Sequence, residues 1–325
     1  MLRLHNYQFY RPSSLDAALA TLALHPEDAM LIAGGTDLVP NMKHRLFTPN
    51  HLIGLKRVVE LHGIAVTDGE LVIGAAETLT DISRNPLVRQ YAPSLAKAAG
   101  LVAGPQLRNM GTIGGNVCLD TRCTYYNQSY FWRDALGYCL KKDGDVCHVT
   151  KVGRKCVAAH SADTPPVLMT LGGVIDLVSP ERHRSLAVED FFIADGIWNT
   201  VRKHNEIVAR IRIPLPARTT RTAFIKLRQR QAIDFPLLNV AAAADFDGDV
   251  VRSLRLVVSA LGARPRVITS LDKAVFGKPL TTDTIQAIAE RAFQQCHPLE
   301  NIIVDPDWRR AMVPVYVKRA VAELL

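Results

Sequence analysis

Cysteine is concentrated in one short part of this 325-residue sequence. Five of the six cysteines lie between residues 117 and 160: Cys118, Cys123, Cys139, Cys147 and Cys156. In a protein without a secretion signal, thiols that crowd together are more often metal ligands than disulfide partners. The segment that contains them is therefore expected to fold around its own ligand set. This requirement constrains the chain more than any other pattern in it.

Composition and charge exclude several classes of protein. Apolar residues make up 48% and charged residues 22% of the chain, as in ordinary globular proteins with room for two or three domains. There is no apolar run long enough for a membrane span, and the N-terminal residues contain no apolar signal core. The net charge is +8, but the basic residues of 202–230 form no nucleic-acid-binding motif. We expect a cytoplasmic protein with no membrane or nucleic-acid partner.

The first sixty residues have the pattern of strands alternating with a helix. Leu15, Leu19 and Leu22 fall on one helical face, and short apolar strands follow at 30–33 and 51–55. This alternation favours a small parallel sheet.

Later segments predict a second subdomain and a separate C-terminal domain. Strands are expected at 69–74, 174–178 and 206–213, with a helix at 165–171. Pro214 and Pro216 then mark a boundary, after which three strands form a meander (224–230, 238–245, 251–261), followed by helices at 282–295 and 308–325. The predicted division is 1–57, 58–216 and 217–325.

Two glycine pairs stand at predicted strand ends. They are Ala33-Gly34-Gly35-Thr36-Asp37 and Thr112-Ile113-Gly114-Gly115-Asn116. Glycine permits positive φ, so successive N–H groups can converge on an anion, and its missing Cβ lets a pyrophosphate approach closely. Neither pair matches the Rossmann fingerprint or the lysine-bearing phosphate loop. Each pair is a weak signal when considered alone.

Taken in order, these motifs resemble the FAD subunit of the molybdenum hydroxylases, a family that includes carbon monoxide dehydrogenase and xanthine dehydrogenase. The resemblance rests on residues 10–19, 33–38, 111–116 and 206–214, with further matches at 224–228 and 261–265. It covers nearly the whole chain. It implies an α+β fold: a two-subdomain FAD-binding type-2 (PCMH-like) unit, followed by a three-stranded antiparallel sheet with helices, as in the C-terminal domain of the carbon monoxide dehydrogenase flavoprotein.

The resemblance also implies which residues contact one non-covalently bound FAD. Asp163 matches a family aspartate in the string from Ser161 to Leu168, and Lys226 matches a family lysine near the flavin. A solvent-facing strand position is the alternative for Lys226. The remaining implied contacts are the two glycine turns with the strand before the first: Leu31, Ile32, Ala33, Gly34, Gly35, Thr36, Asp37, Thr112, Ile113, Gly114, Gly115 and Asn116.

In the family that this chain resembles, the aspartate matched by Asp163 follows shortly after the second glycine turn. Its later position here implies that about forty residues are inserted between about Leu119 and His160. The insertion holds four cysteines with the spacing C-x15-C-x7-C-x8-C: Cys123, Cys139, Cys147 and Cys156. Four thiolates complete either a [4Fe–4S] cluster or a structural zinc site, and the spacing does not choose between them. A cluster is favoured because it would give a neighbouring flavin an electron partner. Five basic residues of the insertion would also offset its charge: Lys141, Lys142, Lys151, Arg154 and Lys155.

The other cysteines and the aromatic residues receive structural roles. Cys118 is expected to pack beneath the second glycine turn, although it could replace Cys123 as a ligand, and Cys296 is expected in the core. The aromatic residues are expected to form a small core around the cluster: Tyr125, Tyr126, Tyr130, Phe131, Trp132 and Tyr138.

Within the family, the string from Cys118 to Gln128 resembles the β subunit of 4-hydroxybenzoyl-CoA reductase. This implies that electrons pass from reduced ferredoxin through [4Fe–4S] and FAD to [2Fe–2S] and molybdenum-cofactor subunits, in a dimer of heterotrimers that dehydroxylates an aromatic CoA thioester anaerobically. The chain itself has no plausible molybdenum site and is expected to hold no catalytic residue. The alternatives are an FAD subunit of an oxidising hydroxylase with a zinc- or cluster-stabilised loop, and a zinc-stapled docking module that is not an enzyme.

Overall fold

The N-terminal unit is built on a three-stranded parallel sheet. The structure, a computed structural model, describes residues 2–151 and 153–325. The strand order is β1-β3-β2. The elements are β1 (Gln8–Tyr10), α1 (Leu15–Leu24), β2 (Ala29–Ile32), α2 (Leu38–Lys43) and β3 (His51–Gly54), followed by a 3₁₀ turn at Val59–Leu61. The predicted alternation and the parallel sheet are confirmed.

Helix α1 has clear start and stop signals. The Ser14 side chain accepts a hydrogen bond from the Ala17 N–H at 3.2 Å, which caps the first turn. The helix ends at His25, because the residue before a proline is disfavoured in the helical region. Its buried face, which includes Leu19 and Leu22, covers the sheet.

Strand β2 ends where the first glycine turn begins. The Leu55 N–H donates to the Ile32 carbonyl at 2.9 Å, at the carboxyl edge of the sheet. Ligands of open parallel sheets bind in the crevice outside the carboxyl ends of the strands. The first glycine turn, Ala33–Asp37, lies at this edge.

The second unit is a five-stranded antiparallel sheet with helices. The strand order is β4-β5-β8-β6-β7. Its elements are β4 (Ile64–Thr67), β5 (Glu70–Gly74), α3 (Leu79–Arg84), α4 (Pro86–Tyr91), α5 (Pro93–Leu101), α6 (Pro105–Arg108), α7 (Ile113–Val117), α8 (Tyr130–Leu136), α9 (Thr164–Thr170), β6 (Val174–Val178), β7 (His183–Ala187), α10 (Val188–Phe191) and β8 (Ile207–Pro214). Helix α7 is the second glycine turn, wound into a short helix.

The C-terminal unit contains a four-stranded antiparallel sheet covered by helices. Its elements are β9 (Thr220–Leu227), β10 (Leu238–Asp247), β11 (Val250–Ser259), β12 (Arg266–Val267), α11 (Asp272–Val275), α12 (Thr282–Gln295) and α13 (Pro306–Ala322). The predicted three-strand meander is present, but the sheet has a fourth strand at its edge. Strand β12 has two residues, too few to produce an alternating pattern. Among residues 2–151 and 153–325, no helix is long and apolar enough to cross a membrane.

The C-terminal sheet is buried on both faces. Phe224, Ala241 and Val257 belong to the core of the second unit. The alternate positions Leu256 and Val258 pack in a different core with α12 and α13. Successive side chains of a strand point to opposite faces of the sheet, so alternate residues enter different cores. One face packs against helices α5 and α9, which joins the C-terminal unit to the second unit.

The inserted segment leaves and rejoins the fold at one place. Arg122 and Ala159 exchange two backbone hydrogen bonds, of 2.8 and 2.7 Å. Between them, the buried Arg133 donates to the His44 carbonyl of the N-terminal unit at 2.9 Å. On the other side, the Asn301 amide donates to the Val157 carbonyl at 2.7 Å. The segment therefore contacts both the N-terminal and the C-terminal units.

Candidate functional site

A cavity of about 500 Å³, here called the main cavity, opens between the three units. Both glycine turns line it. Twelve of the fourteen residues implied as flavin contacts are among its walls: Leu31, Ile32, Ala33, Gly34, Gly35, Thr36, Asp37, Thr112, Gly114, Gly115, Asn116 and Asp163. Ile113 and Lys226 do not line the main cavity. Ile113 belongs to the hydrophobic core, and Lys226 is buried beside Asp163.

The first glycine turn offers free hydrogen-bond donors. No hydrogen bond between described residues uses the backbone N–H of Gly34, Gly35, Thr36 or Asp37. Gly35 has a φ of +70°, in the region that favours glycine. Four unused donors in a turn of this shape suit the oxygens of an anionic group.

The two turns touch through Gly34. A Cβ at this position would lie 2.0 Å from the Met110 carbonyl oxygen and 2.8 Å from the Gly111 nitrogen. Such distances are impossible for real atoms, so the residue must be glycine for the turns to meet.

The second turn differs in its hydrogen bonding. Thr112 caps helix α7, and its hydroxyl accepts from the Gly115 N–H at 3.1 Å, while the Gly114 N–H donates to the Ala75 carbonyl at 2.9 Å. These donors are therefore engaged within the protein. A Cβ at Gly114 would lie 2.8 Å from the Ala75 oxygen, whereas one at Gly115 would meet just the Thr112 hydroxyl, at 3.2 Å. Gly115 thus provides space at the cavity wall, and the second turn has fewer unused N–H donors than the first.

An ion pair lies in the wall of the main cavity, beside the first glycine turn. The Arg122 Nη2 lies 2.6 Å from the Asp37 Oδ1, and the Arg122 guanidinium stacks 3.8 Å from the centre of the Phe235 ring. Burial raises the pKa of Asp37, and the charge of Arg122 opposes this rise. Sequence reasoning missed Arg122 and Phe235. They approach Asp37 from loops 85 and 198 positions away, a distance at which local spacing gives no signal.

Asp163 is held by a buried network. The Lys226 Nζ lies 2.6 Å from the Asp163 Oδ2, and the Asn239 amide donates to the Asp163 Oδ1 at 2.9 Å. The Asp163 side chain is 3% exposed and the Lys226 side chain is 1% exposed. Burial raises the pKa of Asp163, and Lys226 opposes this rise. Lys226 is therefore neither a cavity-lining residue nor a solvent-facing lysine; it acts on the cavity through Asp163.

The main cavity has a further wall that the motifs did not indicate. It is formed by a loop from the second unit and by residues close to Phe235: Ile197, Trp198, Asn199, Thr200, Arg202, His204, Ile233 and Asp234. Trp198 is 75% exposed and stands at the mouth of the cavity.

The four cysteines of the insertion line a second, smaller cavity, here called the cysteine cavity. They are Cys123, Cys139, Cys147 and Cys156. Cys118 instead lines the main cavity, and Cys296 is buried at the end of α12. The structure thus groups the four cysteines of the insertion apart from Cys118 and Cys296, while their roles as ligands remain a prediction.

The surroundings of the cysteine cavity shift the pKa values of its thiols in opposite directions. Burial alone would raise the pKa of Cys147, but the polar groups of Thr150 and of the backbone at Val149 and Val157 outweigh it and lower this pKa. Burial raises the pKa of Cys123 to about 11, and the Ala158 N–H donates to the Cys156 sulfur at 3.4 Å. N–H groups aimed at sulfur stabilise thiolates.

Hydrogen bonds connect the wall of the cysteine cavity to the wall of the main cavity. The Asp120 carboxylate lines the main cavity, and it accepts from the Lys141 Nζ at 2.6 Å and from the Tyr126 hydroxyl at 2.9 Å. Lys141 and Tyr126 both line the cysteine cavity. Lys141 also donates to the Thr121 and Gly196 carbonyls, and its side chain is 5% exposed.

The expected aromatic core around the cysteines forms in part. Tyr126 is buried, and Tyr125 also lines the cysteine cavity. Phe131 is 82% exposed and Trp132 is 41% exposed, so this part of the expectation is wrong. Helix α8 places these two side chains outward because its buried position is taken by Arg133.

Comparisons with known proteins agree with the fold. Residues 5–216 match the family described as the FAD binding domain in molybdopterin dehydrogenase, and residues 223–324 match the CO dehydrogenase flavoprotein C-terminal domain. The carbon monoxide dehydrogenase medium chain of Hydrogenophaga pseudoflava is 30% identical over 97% of this chain and 95% of its own length. A putative xanthine dehydrogenase FAD-binding subunit of Escherichia coli is 25% identical over 97% and 94%.

Solved structures show the same relationship. Carbon monoxide dehydrogenase from H. pseudoflava superimposes with a TM-score of 0.82 at 28% identity, covering 99% of this chain and 98% of that one. Quinoline 2-oxidoreductase from Pseudomonas putida 86 gives 0.81 at 25% identity, with the same coverage. The chain therefore belongs to the FAD-binding subunits of the molybdenum hydroxylase family of oxidoreductases.

Proposed function

We propose that this chain is the flavin and iron–sulfur electron-transfer subunit of a 4-hydroxybenzoyl-CoA reductase-type complex. Electrons from reduced ferredoxin would enter through a [4Fe–4S] cluster, pass to FAD, and leave towards partner subunits that hold [2Fe–2S] clusters and the molybdenum cofactor. The observation that carries the proposal is the convergence of four inserted cysteines on one cavity, whose wall is hydrogen-bonded to the wall of the main cavity.

The main cavity suits FAD. The unused N–H groups of Gly34 to Asp37 would bind the pyrophosphate, and Gly115 would leave room for it. Asp163, fixed by Lys226 and Asn239, would supply a polar contact that cannot rotate away. When bound, FAD exchanges electrons either singly or in pairs, which suits a subunit placed between one-electron carriers.

The cysteine cavity suits a cluster of several irons. A zinc ion holds its thiolates at Zn–S distances of about 2.3 Å, which forces the sulfurs close together. Among the described residues, no three of these sulfurs lie within 4.8 Å of one another. A cubane separates its thiolates further. A hydrogen bond to sulfur, here from the Ala158 N–H to Cys156, and a nearby charge such as that of Lys141 are features by which proteins set cluster potentials.

The position of the two cavities supports electron exchange between them. Asp120 lines the main cavity, and its two hydrogen-bond donors, Lys141 and Tyr126, line the cysteine cavity. A zinc site would stabilise the segment without using this proximity.

The oxidising alternative also has support. The named relatives include carbon monoxide and xanthine dehydrogenases, in which the flavin subunit belongs to a dehydrogenase. Under this alternative, the cysteine site would hold zinc or a cluster that stabilises the loop, and ferredoxin would not reduce the flavin. The two functions therefore differ in the metal content of the purified complex and in the response of the flavin to reduced ferredoxin.

The metal is tested by anaerobic purification with assays for iron, acid-labile sulfide, zinc and flavin. We expect four irons, four sulfides and one FAD per chain. Cys139→Ser and Cys147→Ser should each abolish the EPR signal of the reduced cluster. Cys118→Ser and Cys296→Ser are matched controls and should retain it. One zinc per chain with no sulfide would refute the cluster. Loss of the signal in Cys118→Ser together with its retention in Cys123→Ser would refute the choice of ligands.

The basic residues of the insertion are not all accessible to a ferredoxin. Lys141 cannot contact a carrier because it is buried, and Lys142 lies 3.2 Å from Asp143. Lys151 and Lys155 remain exposed and would attract an acidic carrier. Flavin reduction by ferredoxin should slow at low salt when both are changed to glutamate, and it should lose its salt dependence.

The control for this test is Lys273→Glu, at an exposed lysine of α11 in the C-terminal unit. It should leave the rate unchanged, and all variants should be reduced normally by dithionite. An unchanged rate in the double variant would place electron entry elsewhere. The mass of the purified complex tests the proposed dimer of heterotrimers.

A further inference from the structure

Two histidines and an aspartate meet at the edge of the N-terminal sheet opposite the first glycine turn. His25 ends helix α1, Asp28 precedes β2, and His51 begins β3. One nitrogen or carboxylate oxygen from each residue lies within 4.8 Å of the other two. Among residues 2–151 and 153–325, this is the one group of three such side chains with its donor atoms so close.

The imidazole rings are held in a defined arrangement. Their centres lie 3.6 Å apart and their planes are within 10° of parallel. The His51 Nε2 lies 3.9 Å from the Asp28 Oδ2, which also accepts from the Asn50 amide at 2.9 Å.

Tyr10 orients both rings. Its hydroxyl lies 3.2 Å from the His25 Nε2 and 3.0 Å from the His51 Nδ1. The hydroxyl oxygen has two lone pairs and can accept from an N–H of each ring, and in that arrangement the other nitrogen of each ring carries a lone pair. The second nitrogen of each ring is then available to a ligand. Metal-binding histidines are usually positioned in this way, by an oxygen that engages the nitrogen away from the metal.

We propose that His25, His51 and Asp28 bind one divalent transition-metal ion of the zinc class, with Tyr10 as a positioning residue. Two neutral imidazoles and a carboxylate form a donor set that zinc, nickel and copper prefer over magnesium or calcium. The three side chains are half-buried, so an ion can enter from solvent and keep water as its remaining ligand. The site is separate from the cysteine cavity and does not rest on the proposed electron-transfer role.

The bound ion would join three separate segments of the N-terminal unit. These are the end of α1, the start of β2 and the start of β3. Because β2 leads directly into the first glycine turn, the ion would stabilise the support of that turn. Binding to the folded state alone raises stability with ion concentration.

The test measures zinc binding to the holoprotein after chelator treatment and dialysis. Zinc is quantified by mass spectrometry after equilibrium dialysis. We expect His25→Gln, Asp28→Asn and His51→Gln each to bind one zinc ion fewer per chain than the wild type. His62→Gln is the matched control, because His62 also faces a carboxylate, Glu77 at 3.6 Å, but has no second histidine. It should bind as much as the wild type.

A milder variant keeps the proposal testable if a ligand variant folds poorly. Tyr10→Phe retains all three ligands and should weaken zinc binding by about 10–100-fold. Zinc held by the four cysteines would be counted equally in every protein and cancels in the comparison. Equal zinc content in the wild type and the His51→Gln variant, or undiminished affinity in Tyr10→Phe, would overturn the proposal.

Discussion

Replacing Lys226 with methionine would leave a negative charge in the protein interior. The Lys226 Nζ lies 2.6 Å from the Asp163 Oδ2, and both side chains are almost fully buried. Removing one partner of a buried ion pair costs about 3–5 kcal/mol, because the other charge then has neither water nor a counter-charge. We expect Lys226→Met to lower the free energy of unfolding at pH 7 by this amount, measured by urea denaturation and circular dichroism.

The cost should depend on pH. Burial raises the pKa of Asp163, and without Lys226 that pKa rises further. A carboxyl with a higher pKa in the folded state loses stability as pH rises, because the unfolded chain releases the proton first. The destabilisation should therefore be small below the ordinary aspartate pKa of about 3.9 and larger at neutral pH. Addition of Asp163→Asn should recover most of the loss, since no buried charge then remains.

A surface ion pair provides the matched control. The Lys97 Nζ lies 2.8 Å from Glu323, but these side chains are 44% and 42% exposed. Exposed pairs contribute about 0–1 kcal/mol, so Lys97→Met should cost little. If Lys226→Met cost no more than Lys97→Met, or if its effect were independent of pH, the argument from burial would be wrong.

Three other changes have distinct expected outcomes. Gly115→Val should abolish flavin retention while the protein still melts cooperatively, because its new side chain points into the main cavity; normal flavin content would contradict this. Gly34→Ala should fold poorly, with a lowered melting temperature, because its Cβ would overlap the Met110 carbonyl. Arg133→Met removes donors to three backbone carbonyls and should expose the inserted segment to limited proteolysis, whereas an unchanged digestion pattern would show that other contacts hold it.

Local pattern was enough to predict the regular elements. Helix α12 runs from Thr282 to Gln295 as expected, because Thr281 and Thr284 form a capping box before an apolar face. Strand β6 also has its predicted bounds, Val174–Val178. The glycine turns were predicted from their backbone requirements, and both line the main cavity.

Contacts between distant segments could not be predicted in the same way. A lysine in a polar loop is expected to be exposed, yet Lys141 is buried against Asp120 and two carbonyls that fold back to meet it. Ile113 lies inside a glycine motif, but the turn directs it into the core. The Arg122–Asp37 pair joins residues from two units, and nothing in the neighbourhood of either residue indicates the other.

The two hydrogen bonds between Arg122 and Ala159 have a consequence for the history of the fold. They bring the ends of residues 123–158 side by side, so the host backbone on either side already meets without the segment between. Insertions at such a point cost little loop-closure entropy and leave the surrounding strands in register. A relative without these residues could therefore gain the four-cysteine site in a single insertion event, and a chain that has it could lose it by one deletion.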